Sequence, residues 1–360
     1  GVPLYPEFLA LTLWPELLGI SERARNPFYL GKEDAEALNF KIFPHWMENN
    51  ILELARKRCF DENKKKLGKD KYAPEMKLLE RLVFFLGSKP NCISHTIPDF
   101  SKAINKGLRA IIDEANDRGA KTSDAFQKEF YAAIPEVLEG IIAYSKNLAK
   151  KAKEMADKEA DPNIKKELLD IAEINNRVPE FSARTFREGL TTVWICWTAL
   201  HLENPNVGLS LGRLDQILYD LYRKDIDNKT INIEKAIELI SCLWLKIGDH
   251  VPTIPDAGEQ LFGGTGSNQA ITIGGVDKDG KDAVNDLTYV MLRATELMKL
   301  RDPNLNARYY QGINSKEYLR RICEVNVNTG ATPAIHNDKA VIHALTKKGD
   351  SLEHARDYGV

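Results

Sequence analysis

The side chains best suited to chemistry lie in short polar phrases set between apolar runs. Ser94-His95-Thr96-Ile97-Pro98-Asp99 places an imidazole and a carboxylate beside a proline turn. Such a loop can aim both at a substrate, and Asp99 can equally cap a following helix. His201 and Glu203 close an apolar stretch, where they either address a cavity or leave the core for solvent. In Asn304-Leu305-Asn306-Ala307-Arg308-Tyr309 the alternation puts Asn304, Asn306 and Arg308 on one strand face and the other three on the opposite face. A guanidinium held there offers a fixed donor fork to a substrate carboxylate, or satisfies a structural acid. His336-Asn337-Asp338 follows an apolar strand and marks a strand end facing a pocket, while Arg213 and Asp215 either brace neighbouring elements or meet substrate.

Other signatures are weak or missing. Gly263-Gly264-Thr265-Gly266 suits an anion-binding nest or a constrained turn, but lacks the Lys-Ser/Thr ending of a phosphate loop. Cys59, Cys92, Cys196, Cys242 and Cys323 show no paired metal-ligand spacing, so reduced thiols in a cytoplasmic chain and metal-free function are expected. Cys196 and Cys242 sit in strongly apolar sequence. There is no Gly-X-Ser-X-Gly elbow. With 50 basic and 52 acidic residues and a net charge of -2, the chain has no long-range pull on nucleic acid. No run approaches the about 20 apolar residues that cross a bilayer, so no membrane partner is expected.

Positioning these groups requires a scaffold, and the patterning supplies one. Helices are expected over about 32–43, from Met47 to Lys57, and over 101–115, 124–159 and 164–175, with Phe43-Pro44-His45-Trp46 as an interruption. Ile111, Ile112, Phe126, Phe130, Ile134, Leu138, Ile141 and Ile142 supply apolar faces. Two deeply packed helices follow over 185–201 and 232–247, Trp197 and Trp244 among their apolar residues. The period then changes. Strands at 270–276, 305–310 and 331–335 alternate with helices at 282–299 and 315–325, the pattern of an α/β layer or barrel. The chain thus has a helix-rich first half (1–205) and a strand-containing second half (206–360).

Several phrases, in order along nearly the whole chain, carry a resemblance: Gly1-Val2-Pro3-Leu4-Tyr5-Pro6, His95-Thr96-Ile97-Pro98-Asp99-Phe100, Ala183-Arg184-Thr185-Phe186-Arg187-Glu188-Gly189-Leu190 and Gly212-Arg213-Leu214-Asp215-Gln216. They continue through Ile271-Thr272-Ile273-Gly274-Gly275-Val276-Asp277, Asp302-Pro303-Asn304-Leu305-Asn306-Ala307-Arg308 and Ala355-Arg356-Asp357-Tyr358-Gly359-Val360. Together they resemble the glycyl-radical, or pyruvate formate-lyase-like, enzymes, and the Pro-Asn-Leu-Asn-Ala-Arg phrase resembles their dehydratase-like branch.

That resemblance implies part of a ten-stranded α/β barrel built from two opposed half-barrels and surrounded by helices. It implies a protein glycyl radical, installed by an activating enzyme that uses S-adenosylmethionine and an iron-sulfur cluster, and a small organic substrate. The family's active cysteine follows shortly after the phrase matched by Ala355–Val360, and its radical glycine comes much later. On that expectation the chain is an incomplete central portion, lacking an N-terminal part, the thiyl-cysteine loop and the glycyl-radical domain, and not competent alone. Within the match, His95, Asp99, Trp197, His201, Asn268, Gln269 and Arg308 are the wall and pocket candidates. A small-polyol dehydratase is the leading expectation. A formate acetyltransferase-like enzyme, a radical C–N, C–S or C–C lyase and a silent assembly component are the alternatives, and homo-oligomer formation is left open.

Overall fold

The computed structural model describes residues 13–50, 96–203, 208–250 and 269–359, together with positions 253, 255, 256 and 260. The expected helix from Met47 to Lys57 lies partly outside these residues, as do His95, Asn268, Cys59, Cys92 and the 263–266 glycine cluster. The chain divides into two compact units, one drawn from residues 1–96, 202–209 and 248–268, the other from 97–201, 210–247 and 269–360.

In the first unit a 3-10 turn, Trp14–Gly19, is followed by α1 (Lys32–Ala37), a π turn (Leu38–Ile42) and α2 (Phe43–Asn49). Leu13, Leu17, Ile20, Leu38 and Phe43 form its core, with Trp14 and Trp46 packed against it. The expected break at Phe43-Pro44-His45-Trp46 does not occur. Pro44 falls in the first turn of α2, directly after the π turn Leu38–Ile42, and the run stays helical through it.

The second unit opens with a helical layer: α3 (Phe100–Lys121), α4 (Ala125–Ala156) and α5 (Pro162–Arg177). Each starts on an aspartate whose carboxylate accepts from the first turn: Asp99 from Lys102 N (3.3 Å), Asp124 from Gln127 N (2.8 Å) and Asp161 from Asn163 N (2.7 Å). Ile142, Ser145, Ala149, Ala152 and Ala156 form the buried stripe of α4. Phe126 and Phe130, expected on an apolar face, are exposed instead, because 3.6 residues per turn carries them off that stripe.

Two apolar helices, α6 (Phe186–Glu203) and α9 (Ile233–Gly248), flank the short pair α7 (Leu214–Ile217) and α8 (Tyr219–Asp227). Ala236, Ile240, Leu243, Trp244 and Ile247 are the buried face of α9, and Trp244 Nε1 donates to Thr295 Oγ1 at 2.9 Å. Cys242 is exposed despite its apolar neighbours in sequence, since it lies on the opposite side of that helix. Burial pushes the Cys196 thiol up to about 12, so it holds its proton at neutral pH.

The described strands make one parallel sheet in the order β1 (Ala270–Gly274), β2 (Asn304–Tyr309), β3 (Ala334–Asn337). The crossovers contain α10 (Asp286–Met298) and α11 (Lys316–Thr329), whose starts are fixed by a capping box at Asn285 and Thr288 and by the Ser315 cap. Residues around Gly212 extend β1 outward: Leu211 N donates to Ala270 O (2.8 Å) and Thr272 N to Gly212 O (2.9 Å). The third strand starts three residues later than expected, after Pro333. Register confirms the alternation. Thr272 lies beside Asn306, and Gly274, Arg308 and His336 share a row, while Ile271, Leu305, Ile273 and Ala307 take the other, apolar face. Helices α12 (Asp338–Lys348) and α13 (Leu352–Arg356) complete the unit. Among the described residues no helix is long and apolar enough to cross a membrane.

Candidate functional site

At the carboxyl end of the sheet two arginines converge on one stretch of backbone. Arg308 is fully buried, and so is its partner Asp338, the first residue of α12. Arg308 Nε donates to Asp338 Oδ1 at 2.7 Å and Nη2 to Oδ2 at 3.1 Å, a bidentate pair. The same guanidinium donates to Arg356 O (2.6 Å) and Tyr358 O (3.0 Å) and lies 4.1 Å from the centre of the Tyr358 ring. All three nitrogens are therefore engaged. Of the two roles the sequence allows for Arg308, satisfying a structural acid is the one its contacts display.

Arg213 performs the matching task from the start of α7. Its Nη2 donates to Gly274 O and Val276 O, both at 3.0 Å, and its Nη1 reaches Asp357 Oδ1 at 2.9 Å. Arg356–Tyr358 is thereby tied to the exits of β1 and β2. The next residue, Gly359, packs against the Ile97 side chain above the polar face: a Cβ placed on it would meet Ile97 Cδ1 first and stand 3.6 Å from Gly212 Cα and 3.7 Å from Thr272 Oγ1.

Such convergence needs room, which Gly275 leaves. It has φ +74, and a Cβ there would meet Asp338 Oδ2 at 2.6 Å and Arg308 Nε at 2.7 Å. Beneath it, Asp215 is fully buried, and its Oδ2 accepts from Gly274 N (2.8 Å) and Thr288 Oγ1 (2.7 Å). Burial raises its pKa, a shift that Arg213 and these donors oppose. Arg213 and Asp215, two positions apart, thus hold the carbonyl and the N–H of the same residue, Gly274, and tie it to Asp357 and to Thr288 of α10 respectively.

The remaining candidates lie elsewhere. Trp197 and His201 are buried with ring centres 4.0 Å apart, and His201 Nδ1 is 2.8 Å from Trp197 O. The carbonyl can only accept, so Nδ1 carries the hydrogen, and Nε2 faces Gln269 Nε2 at 3.3 Å. Gln269 Oε1 is buried with no hydrogen-bond partner among the described residues. Gln269 precedes β1 and shares the parity of Ile271 and Ile273, not of Thr272. The structure brings Trp197, His201 and Gln269 together at the amino end of β1, and Arg308 stands at the carboxyl end. Asp99 is an exposed helix cap whose carboxylate also accepts from Ser101 Oγ.

Asp338, the partner of Arg308, was legible only as an acid at a strand end. Asn314 is not among the sequence candidates, although its Nδ2 donates to Gly275 O at 2.8 Å and to Asp282 Oδ1 at 2.6 Å, securing the glycine exit. Its place in a tight turn just before a helix is the one signal it gives. Among the described residues no three His, Cys, Asp or Glu side chains gather as metal ligands would.

Comparison with known proteins places this geometry. The chain is 31% identical to isethionate sulfite-lyase of Nitratidesulfovibrio vulgaris over 365 residues, covering 99% of this chain and 44% of that protein. A Roseburia inulinivorans structure described for 1,2-propanediol dehydration superposes with a TM-score of 0.86 at 29% identity, covering 99% of this chain and 42% of the other. The glycerol-bound B12-independent glycerol dehydratase from Clostridium butyricum gives 0.82 at 28% identity, with 99% and 44% covered. The chain thus spans less than half the length of these relatives. The family profile described as pyruvate formate lyase-like matches residues 1–360, and the chain belongs to that family.

Proposed function

We propose that the chain forms substrate-pocket walls of a glycyl-radical lyase, of the dehydratase-like kind that acts on a small polyol. The observation that carries this reading is the fixed course of Arg356–Gly359 over the polar face at the carboxyl ends of parallel strands, where open α/β sheets bind their ligands. Family resemblance puts the active cysteine shortly after this stretch. Arg213 and Arg308 then act as positioning residues that set where that loop enters a barrel of ten strands, to which β1–β3 contribute. The glycyl radical, installed by a radical S-adenosylmethionine activase, supplies the unpaired electron for hydrogen abstraction. The walls hold the substrate's hydroxyls and exclude water from the reacting carbon.

A C–S lyase is the second reading, favoured by the 31% identity to isethionate sulfite-lyase. In a protein that carries this chain together with the cysteine loop and the radical glycine, anaerobic activation followed by incubation with glycerol, 1,2-propanediol and isethionate separates the two. Aldehyde from a diol supports the dehydratase reading, and sulfite from isethionate replaces it with the second. No glycyl-radical signal in electron paramagnetic resonance after activation, and no product from any of the three, removes both.

A further inference from the structure

His336 lies on β3 in the same row as Arg308, and its Nε2 is 2.9 Å from Asn306 Oδ1 on the neighbouring strand. The orientation of that amide is set from the other side, because Asn306 Nδ2 donates to Asn304 O at 3.0 Å. An amide oxygen can only accept, so the hydrogen of the imidazole resides on Nε2 and the lone pair on Nδ1. The ring is half-buried, and its Nδ1 makes no hydrogen bond among the described residues.

Burial favours the neutral form of this ring. Burial lowers the pKa of His336; Asp338 on α12 pulls it up, and Arg308 on β2 pulls it down. The two charges are bound to each other. The same pairing removes the cation that an anionic substrate would seek on this face, and Arg213 is paired with Asp357. What His336 offers is a single neutral acceptor beside Asn306, on the face crossed by Gly359.

We propose that His336, with its tautomer set by Asn306, is a substrate-binding residue whose Nδ1 accepts a hydrogen bond from a hydroxyl of an uncharged substrate. The substrate class rests on the polyol reading above, whereas the tautomer rests on the cross-strand contact alone. Asn306 is the positioning residue of the pair. The bond that joins the two strands forms only with the hydrogen on Nε2, and it thereby leaves Nδ1 as the acceptor.

Imidazole nitrogen spectra of the histidine-labelled protein, with His336→Gln to assign the signal and glycerol as the probe, test both parts. The expected result is an unprotonated Nδ1 at neutral pH whose resonance moves upfield, saturably, as glycerol is added. Asn306→Asp should convert the ring to imidazolium and abolish the response, and Asn306→Ala should weaken it by mixing the tautomers. A hydrogen on Nδ1 in the unmodified protein overturns the proposal. A His336 signal that stays fixed while glycerol moves other resonances also overturns it and leaves the polyol reading intact; glycerol moving no resonance overturns both.

Discussion

Two arginine–carboxylate clusters in the second unit are built from the same groups and do different work. In the helical layer, Arg109 of α3 reaches Glu180 at 2.8 Å and also pairs with Glu139, while Lys146 of α4 meets Glu180 at 2.5 Å. The Arg109 side chain is 34% exposed, so water shares the load. At the sheet end, Arg308 and Asp338 are both 0% exposed, and backbone carbonyls replace water around the guanidinium. The first cluster can lose a member and rehydrate. The second cannot, because removing either charge strands the other in a low-dielectric interior.

The sharpest way to break this contrast is Arg308→Ala, or Asp338→Ala. Either should lower unfolding free energy by about 3–5 kcal/mol in chemical denaturation, with most of the loss recovered in an apolar Arg308→Met, Asp338→Leu pair. A loss no larger than that of a surface pair would mean that water enters the sheet end. Glu296 on α10 is intermediate. Hydrogen bonds from Arg321, with Asn328 and Arg293, outweigh burial and hold its carboxyl at about 2. Because the folded value lies below the unfolded one, its stabilisation is complete above about 4.5 and disappears as pH falls towards about 2. Glu296→Gln should cost about 2 kcal/mol at neutral pH and flatten the stability profile in that window.

Glu180 should give the smallest effect. Burial pushes its carboxyl up, but Lys146 and Arg109 outweigh that and keep it below the ordinary range. Glu180→Gln is expected to cost about 1 kcal/mol in low salt and less in high salt, whereas the Arg308→Ala penalty should be insensitive to salt. Equal salt dependence at the two clusters would erase the distinction between them.

Much of the scaffold was legible from local chemistry. Alternation in β2 put Asn306 and Arg308 on one face, and Asp99 caps a helix, one of the two roles its sequence allows. These features depend on neighbours a few residues away. The site depends on long-range closure: Asp338 is 30 residues from Arg308, Gln269 is 68 from His201, and Tyr358 is 50 from the arginine that holds its carbonyl. No periodicity encodes such pairings. For the same reason the sequence could list Trp197, His201, Gln269 and Arg308 as wall residues without separating the amino end of the sheet from its carboxyl end. Phe126 and Phe130 show the converse: apolar character alone does not give burial, which depends on where the stripe of α4 points.

The missing side chain at position 275 has a practical consequence. Replacing flexible residues by alanine is a common route to a sturdier protein, on the reasoning that it costs the unfolded chain freedom. Here that choice would push a methyl group into the space occupied by the Arg308 and Asp338 side chains and loosen their hold on the Arg356–Tyr358 backbone. A stabilisation campaign on this protein should therefore leave that position untouched.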